Sequence, residues 1–272
     1  MRLVRTLVLV FAAAVSAGPP GLAAPVSMDP PVNLTSARVV DLTHPFDERT
    51  IYWPNAPSGF VLHRESFGKT PGGYFYASND FSAPEHGGTH IDSPIHFSEG
   101  KWTVDQIPLR QLIGPGVVID VSARTATDRD YRLTLDDVKA WEKRHGQVPA
   151  GAIVLLRTGW AARWPDRKTY LGDDTPGRIT NLHFPSYGRE AAEFLVKNRK
   201  VGAIGVDTAS IDYGPSMDFI VHRTVLGENV PGLENLANLE GLPETGFWVI
   251  ALPMKIAGGS GAPARVAAVL SR

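Results

Sequence analysis

The chain has no cysteine. That excludes a disulfide framework, a thiol nucleophile and a thioester-linked lipid anchor. Any metal would have to be held by nitrogen and oxygen, which favours zinc, manganese or iron over a thiolate site. Net charge is almost absent as well: -1 at pH 7 over 272 residues. With no basic block, the sequence offers no electrostatic footprint for nucleic acid or a membrane surface. Low-complexity tracts and repeats at solenoid spacing are missing. So are a dinucleotide fingerprint and a Gly-x-Ser-x-Gly nucleophile elbow; Gly259-Ser260-Gly261 runs into Ala-Pro, which is wrong for a helix start. Acyl transfer by a serine triad is therefore disfavoured.

Long hydrophobic runs are absent too. The apolar stretch 7–17 is too short to span a membrane. It follows Arg2 and Arg5 and leads into small residues, the pattern of a secretory signal peptide. Gly21 and Ala23 place the best cleavage after Ala23, with Ala17 as the alternative. The arginines are not adjacent, so a twin-arginine route is not signalled. The expected organisation is a signal peptide over 1–23, a flexible lead over 24–36 and one domain over 37–272. The mature protein is expected to be secreted or periplasmic, with no membrane span. Its 43% hydrophobic content is enough for a proper core.

Short apolar runs at 38–42, 116–121, 152–157, 201–206 and 247–252 read as buried strands, with 265–270 a candidate for the last. Thr134 is placed to cap a helix through His145, with Asp136 and Asp137 in its first turn and Gly146 just past its end. A second helix is expected to open at Pro185 or Ser186 and run through Lys197. The mixed order predicts an α/β domain rather than a sandwich. Residues 52–81, rich in Gly, Pro, Ser and aromatics, read as a long loop or hairpin of the kind that borders a substrate site. Trp53, Phe60 and the run Tyr74-Phe75-Tyr76 there are candidates for an aromatic wall, though simple loop packing explains them slightly better.

What the sequence does have is His86-Gly-Gly-Thr-His90-Ile-Asp92-Ser-Pro-Ile-His96-Phe97, three of its eight histidines with an aspartate. Imidazoles and a carboxylate are the usual ligands of a divalent transition metal. His90 and Asp92 leave the same face of an extended segment. Gly87 and Gly88 disfavour a helix and suit a turn that carries His86 back toward them. Pro94 keeps Ser93 extended and ends any regular element before His96. A loop of satisfied polar groups, or a closed four-ligand structural site, would use the same residues.

Other candidates lie further on. His222 follows an apolar Phe-Ile-Val run, yet could be a surface histidine beside Arg223. Glu234 sits in an otherwise uncharged stretch, where burial is costly unless it is paired or metal-bound; it could equally be a helix N-terminal carboxylate after Pro231-Gly232. Asp207 and Asp212 flank the end of a buried strand and are as often turn residues or caps. His44 is a weaker candidate, and His63, His145 and His183 read as structural or surface groups. Residues 258–263, Gly-Gly-Ser-Gly-Ala-Pro, could bring backbone amides close to a ligand.

The run from His86 to Phe97 resembles the His-x-Gly-Thr-His-x-Asp-x-Pro-x-His-Phe signature of the metal-dependent cyclase hydrolases, a family that includes bacterial kynurenine formamidase and isatin hydrolase. Every fixed position is matched. Asp207–Asp212, the His222 to Glu234 pair and 258–263 also look like family features, so the resemblance covers 39–270. It implies a swivelling β/β/α single domain with a mixed sheet, and a homo-oligomer, commonly a dimer. It implies that His86, His90 and Asp92 bind metal, that His222 and Glu234 serve a second ion in two-zinc members, and that His96 is catalytic. Isatin hydrolases use one manganese and lack the carboxylate matching Glu234; its presence here leans toward two-metal capability. The cofactor expected is thus a divalent metal, Zn2+ or Mn2+.

The chemistry implied is hydrolysis of an amide, lactam or lactone, a carbon–nitrogen bond outside peptides being the leading target. A bound divalent ion lowers the pKa of water from 15.7 toward about 7 and polarises a carbonyl, and His96 can take and return the proton. The partner is a small molecule. Kynurenine formamidase works on an intracellular catabolite, so a signal peptide favours an isatin-like or other cyclic substrate. A secreted metal-containing binding protein without turnover is the competing class, and it would have no need of His96.

Overall fold

The computed structural model describes residues 36–270. The signal peptide over 1–23, and all of the 24–36 lead except Ser36, lie outside the described residues.

Among the described residues twelve strands are present in chain order: β1 (Arg38–Asp41), β2 (Val61–Lys69), β3 (Phe75–Ser82), β4 (His90–Asp92), β5 (Ile113–Asp120), β6 (Arg132–Leu133), β7 (Ile153–Arg157), β8 (Ser186–Tyr187), β9 (Ala203–Val206), β10 (Gly232–Glu234), β11 (Phe247–Pro253) and β12 (Gly261–Leu270). Eight of them form one mixed sheet in the order β1-β12-β11-β5-β7-β9-β10-β4. β4 returns to pair with β12 and closes seven strands into a barrel-like ring, with β1 added on the same edge of β12 beyond β4. β5, β7, β9 and β10 run parallel; the remaining pairings in this sheet are antiparallel. This is the swivelling β/β/α domain expected from the resemblance.

The central strands are apolar on both faces because both faces are covered. Val117, Ile119, Val154 and Leu156 point into one core cluster with Trp141 and Tyr187. Val118, Ile153 and Leu155 alternate into the other, with Leu233 and Ile91. Trp141 comes from the helix Leu135–His145 and donates its indole N–H to Val118 O at 2.8 Å. Thr134 caps that helix in a reciprocal box with Asp137, and Gly146 ends it at φ 87°, as the sequence predicts.

The second predicted helix starts later than expected. Ser186 and Tyr187 are strand β8, paired with β6, and the helix spans Arg189–Glu193 before loosening into a π-helical turn, Phe194–Arg199. The Tyr187 hydroxyl reaches the carbonyls of Val154 and Gly205 at 3.0 and 2.9 Å, which anchors the chain in its extended form there. The 52–81 segment is resolved in favour of a hairpin: β2 and β3 form a separate two-stranded antiparallel sheet.

Candidate metal centre

Strand register builds the site. β4 lies between β10 and β12, with Glu234 directly opposite His90 and Gly232 opposite Asp92. His90, Asp92 and Glu234 therefore project from one face. On the other side Gly261 stands opposite Asp92, where a Cβ would come within 2.5 Å of the His86 ring. The turn before β4 needs its glycines: Gly88 has φ 57°, and a Cβ on Gly87 would fall 2.1 Å from the Tyr52 ring. His222 enters from the first turn of the helix Ile220–Leu226, and His96 ends a 3-10 turn, Pro94–His96.

All six side chains singled out from the sequence, His86, His90, Asp92, His96, His222 and Glu234, meet in one cleft. Asp92 is the hub. Its Oδ1 lies 2.7 Å from His86 Nδ1 and 3.1 Å from His90 Nε2, and its Oδ2 lies 3.0 Å from His222 Nε2. Glu234 Oε1 is 3.2 Å from His222 Nε2, and its Oε2 is 3.5 Å from His90 Nε2. Two donor groups share Asp92: His86 with His96, and His90 with Glu234. The His96 ring stacks on His86 at 3.8 Å.

Outer hydrogen bonds orient two of these rings. His90 Nδ1 faces the carbonyl of Gly88 at 2.9 Å, and His222 Nδ1 faces Asp212 Oδ2 at 2.7 Å. Both partners only accept, so each Nδ1 carries a proton, and when the ring is neutral Nε2 is the bare nitrogen. His90 Nε2 is buried without an aligned hydrogen bond. With both rings neutral, nitrogens and carboxylate oxygens converge with no donor between them, an arrangement that fits a divalent cation in place of the ring protons.

Charge balance says the same. Burial would raise Asp92, but the charges of His86 and His96 and the hydrogen bond from His222 hold it well below the usual carboxylate range. Burial would lower His90, yet the adjacent Asp92 and Glu234 push it up to about 8. His222 is driven well above the usual imidazole value by Asp212, Asp92 and Glu234 against the opposing effect of burial. Burial and the neighbouring Asp92 raise Glu234. His96 differs: burial, with the nearby imidazoles, pushes it down to about 4, leaving it neutral at physiological pH.

The centre opens into a cavity of about 340 Å3. Tyr52, Trp53, Phe97 and Phe219 supply aromatic wall, and Asn235 lines it as well. Of the wall candidates in 52–81, only Trp53 reaches it. Phe60 packs on Phe46 and Phe81, and Tyr74 and Tyr76 are exposed on the hairpin. Phe219, which sits at φ 48° just before the His222 helix, carried no sequence signal.

The remaining candidates fall elsewhere. Asp207 is buried and accepts from the amides of Thr158 and Gly159, each at 2.9 Å, which ties down a turn. Asp212 accepts from His222 and so acts through it. His44 stacks on Trp164 at 4.3 Å, outside the cavity lining. His183 and His145 pair with Asp130 and Glu244, and His63 lies on the hairpin.

The chain matches the family model "Cyclase" over residues 40–213. It is 38% identical to an isatin hydrolase of Roseibium aggregatum over 208 residues, 74% of this chain and 77% of the relative. It is 29% identical to a kynurenine formamidase of Salinibacter ruber over 66% of this chain and 74% of that one. Isatin hydrolase A from Ralstonia solanacearum superposes with a TM-score of 0.79 at 36% identity, covering 90% of this chain and all of the other (100%). The chain belongs to the cyclase family, whose relatives here are hydrolases of carbon–nitrogen bonds other than peptide bonds.

Proposed function

We propose that this protein is an exported hydrolase that uses a divalent metal, zinc or manganese, to open an amide, lactam or lactone bond in a small flat molecule. The observation that carries the reading is the convergence on Asp92 of imidazole nitrogens from His86, His90 and His222, with Glu234 beside them. A solved structural neighbour described as a potential metal-dependent hydrolase with cyclase activity, at 26% identity and a TM-score of 0.63, supports it.

His86, His90, Asp92, His222 and Glu234 would hold the metal, and the two donor groups sharing Asp92 support room for two ions. A divalent ion supplies Lewis acidity toward the carbonyl and lowers the pKa of water. His96, neutral at physiological pH, takes the proton from water and returns it to the leaving nitrogen. Trp53, Tyr52, Phe97 and Phe219 flank a planar ring and keep bulk water out. The higher identity to the isatin hydrolase than to the formamidase favours a cyclic amide.

Metal content of the purified protein by mass spectrometry, with hydrolysis assays on isatin and N-formylkynurenine, tests this reading. One manganese with isatin opening would place the protein on the cyclic-amide branch; two zinc ions with formamide cleavage would move the substrate to the acyclic branch and support a ligand role for Glu234. No metal after metal-replete purification would overturn it. Export is tested by the mature N-terminus, expected at Ala24; retention of Met1 would refute it. We also propose a homo-oligomer, supported by the apolar residues exposed on the β2–β3 hairpin.

A further inference from the structure

The glycine-rich segment 258–263 does not open its amides toward the cavity. The Ser260 amide donates to Glu85 Oε2 at 3.0 Å, and the Ser260 hydroxyl lies 2.6 Å from the same oxygen. That hydroxyl is also 2.9 Å from His86 Nε2. A carboxylate only accepts, and a serine hydroxyl has a single proton. With that proton directed to Glu85, Ser260 Oγ accepts from His86 Nε2–H. The neutral ring then presents a bare Nδ1 to the space beside Asp92 Oδ1, 2.7 Å away. The opposite tautomer would give that proton to Asp92 and leave the Ser260 oxygen facing the Glu85 carboxylate at 2.6 Å with none, so a cation held between Nδ1 and Asp92 Oδ1 is what selects the first.

We propose that Glu85 and Ser260 are positioning residues that act in series to fix the tautomer and orientation of His86, making its Nδ1 a metal donor. The inference rests on the metal reading above and deepens it. It gives His86 the outer partner that Gly88 gives His90 and Asp212 gives His222, so that all three imidazoles aim their inner nitrogens at Asp92. It also accounts for the glycines. A Cβ on Gly259 would lie 2.9 Å from Glu85 Oε1, and one on Gly261 would lie 2.5 Å from the His86 ring, so Ser260 reaches between them only where both flanks are bare. The segment is held in place by Ser93, whose amide donates to Ser260 O at 2.9 Å and whose hydroxyl donates to Gly259 O at 3.1 Å.

The experiment is zinc affinity, by competition with a chromophoric chelator, on metal-stripped wild type, Ser260→Ala, Glu85→Ala, Glu85→Gln and the Ser260→Ala/Glu85→Ala double variant. The visible spectrum of each cobalt(II)-loaded form and the melting of each metal-free form are recorded alongside. Outer partners of metal-binding histidines are worth about 10–100-fold in affinity. Each alanine variant is expected to lose that much and to shift the cobalt bands, while the metal-free forms melt close to wild type. The double variant is expected to be no weaker than the worse single one, because the two groups act through one hydrogen bond. Glu85→Gln keeps an accepting oxygen and is expected closer to wild type than Glu85→Ala. Wild-type binding with unaffected variants, or losses that add in the double variant, would overturn this inference alone. A wild type that binds neither zinc, cobalt(II) nor manganese would overturn the metal reading and this inference with it.

Discussion

Asp212 holds His222 twice, accepting from its ring Nδ1 at 2.7 Å and from its backbone N–H at 3.0 Å with the same oxygen. The other oxygen accepts from the amide of Val221 and the hydroxyl of Ser216, each at 3.1 Å. One carboxylate thus fixes the start of a helix and the direction of a ring that points at Asp92. In Asp212→Asn an NH2 must face donors on one side or the other. The expected outcome is a loss of about 1–3 kcal/mol in metal-free stability, read by denaturant unfolding, together with about 10–100-fold weaker zinc binding. Unchanged unfolding and unchanged affinity would refute the role.

His96 and Asp92 separate turnover from metal retention. His96 carries the proton in the proposed reaction, so His96→Ala should keep bound metal and lose about 10²–10⁴-fold in kcat. Asp92 touches His86, His90 and His222, so Asp92→Ala should lose metal outright. Metal analysis beside steady-state kinetics distinguishes them. An empty His96→Ala protein would make His96 a ligand, for which its place beside His86 and Asp92 gives the opportunity.

His44 sets an acid limit on stability. Its ring is stacked on Trp164, its Nε2 is buried with no hydrogen-bond partner among the described residues, and burial pushes it down to about 4. The folded value lies below the unfolded one, near 6.5. The stabilising contribution is therefore present in full above pH 6.5 and is lost as pH falls from there to about 4. His44→Phe keeps a ring on Trp164 and removes the titration. It should match wild type at pH 7 and melt higher than wild type at pH 5; equal slopes of melting temperature against pH would remove His44 from the account.

The cavity wall makes a prediction about substrate binding. Trp53 meets Phe184 edge-on at 6.4 Å and Phe219 at 6.2 Å while lining the cavity. Its contribution to a flat ligand is apolar contact, worth about 0.5–1.5 kcal/mol for an aromatic pair. Trp53→Leu should raise KM for a flat aromatic substrate by roughly the corresponding 2–10-fold and leave kcat nearly unchanged. A fall in kcat without a change in KM would place Trp53 in the chemical step instead.

The sequence made the site more legible than the sheet. His90 and Asp92 share a face because a strand has period two, and the glycines at 87 and 88 fold His86 back for steric reasons; both follow from local rules. Glu234 was readable as a costly burial, but that it lies opposite His90 depends on the pairing of β10 with β4, 142 residues apart in a ring no local pattern encodes. The apolar runs predicted as strands are strands, with ends shifted by a few residues. Ser186 and Tyr187 went to a strand because a distant pair of carbonyls captures the Tyr187 hydroxyl, which no helix signal anticipates. The segment 258–263 was legible as a candidate, but through its amides; the Ser260 hydroxyl beside His86 and the place of Phe219 became visible only once the chain had closed.

The β2–β3 hairpin stands apart from the closed sheet and exposes Phe67, Tyr74, Phe75 and Tyr76 at 68%, 65%, 60% and 51%. An isolated two-stranded hairpin is marginally stable in water, and contiguous exposed aromatics mark a surface that is covered. Phe67 and Phe75 meet edge-on at 5.3 Å across the strand pair, forming one apolar face. If a second copy covers that face, wild type sediments well above the mass of one chain. Phe67→Glu with Phe75→Glu would then shift the equilibrium toward the monomer, because charges desolvated at an interface cost several kcal/mol. The closed sheet carrying the centre should be untouched, so zinc affinity per chain is expected to survive. A wild type that sediments as a monomer at all concentrations would refute the assembly without bearing on the metal centre.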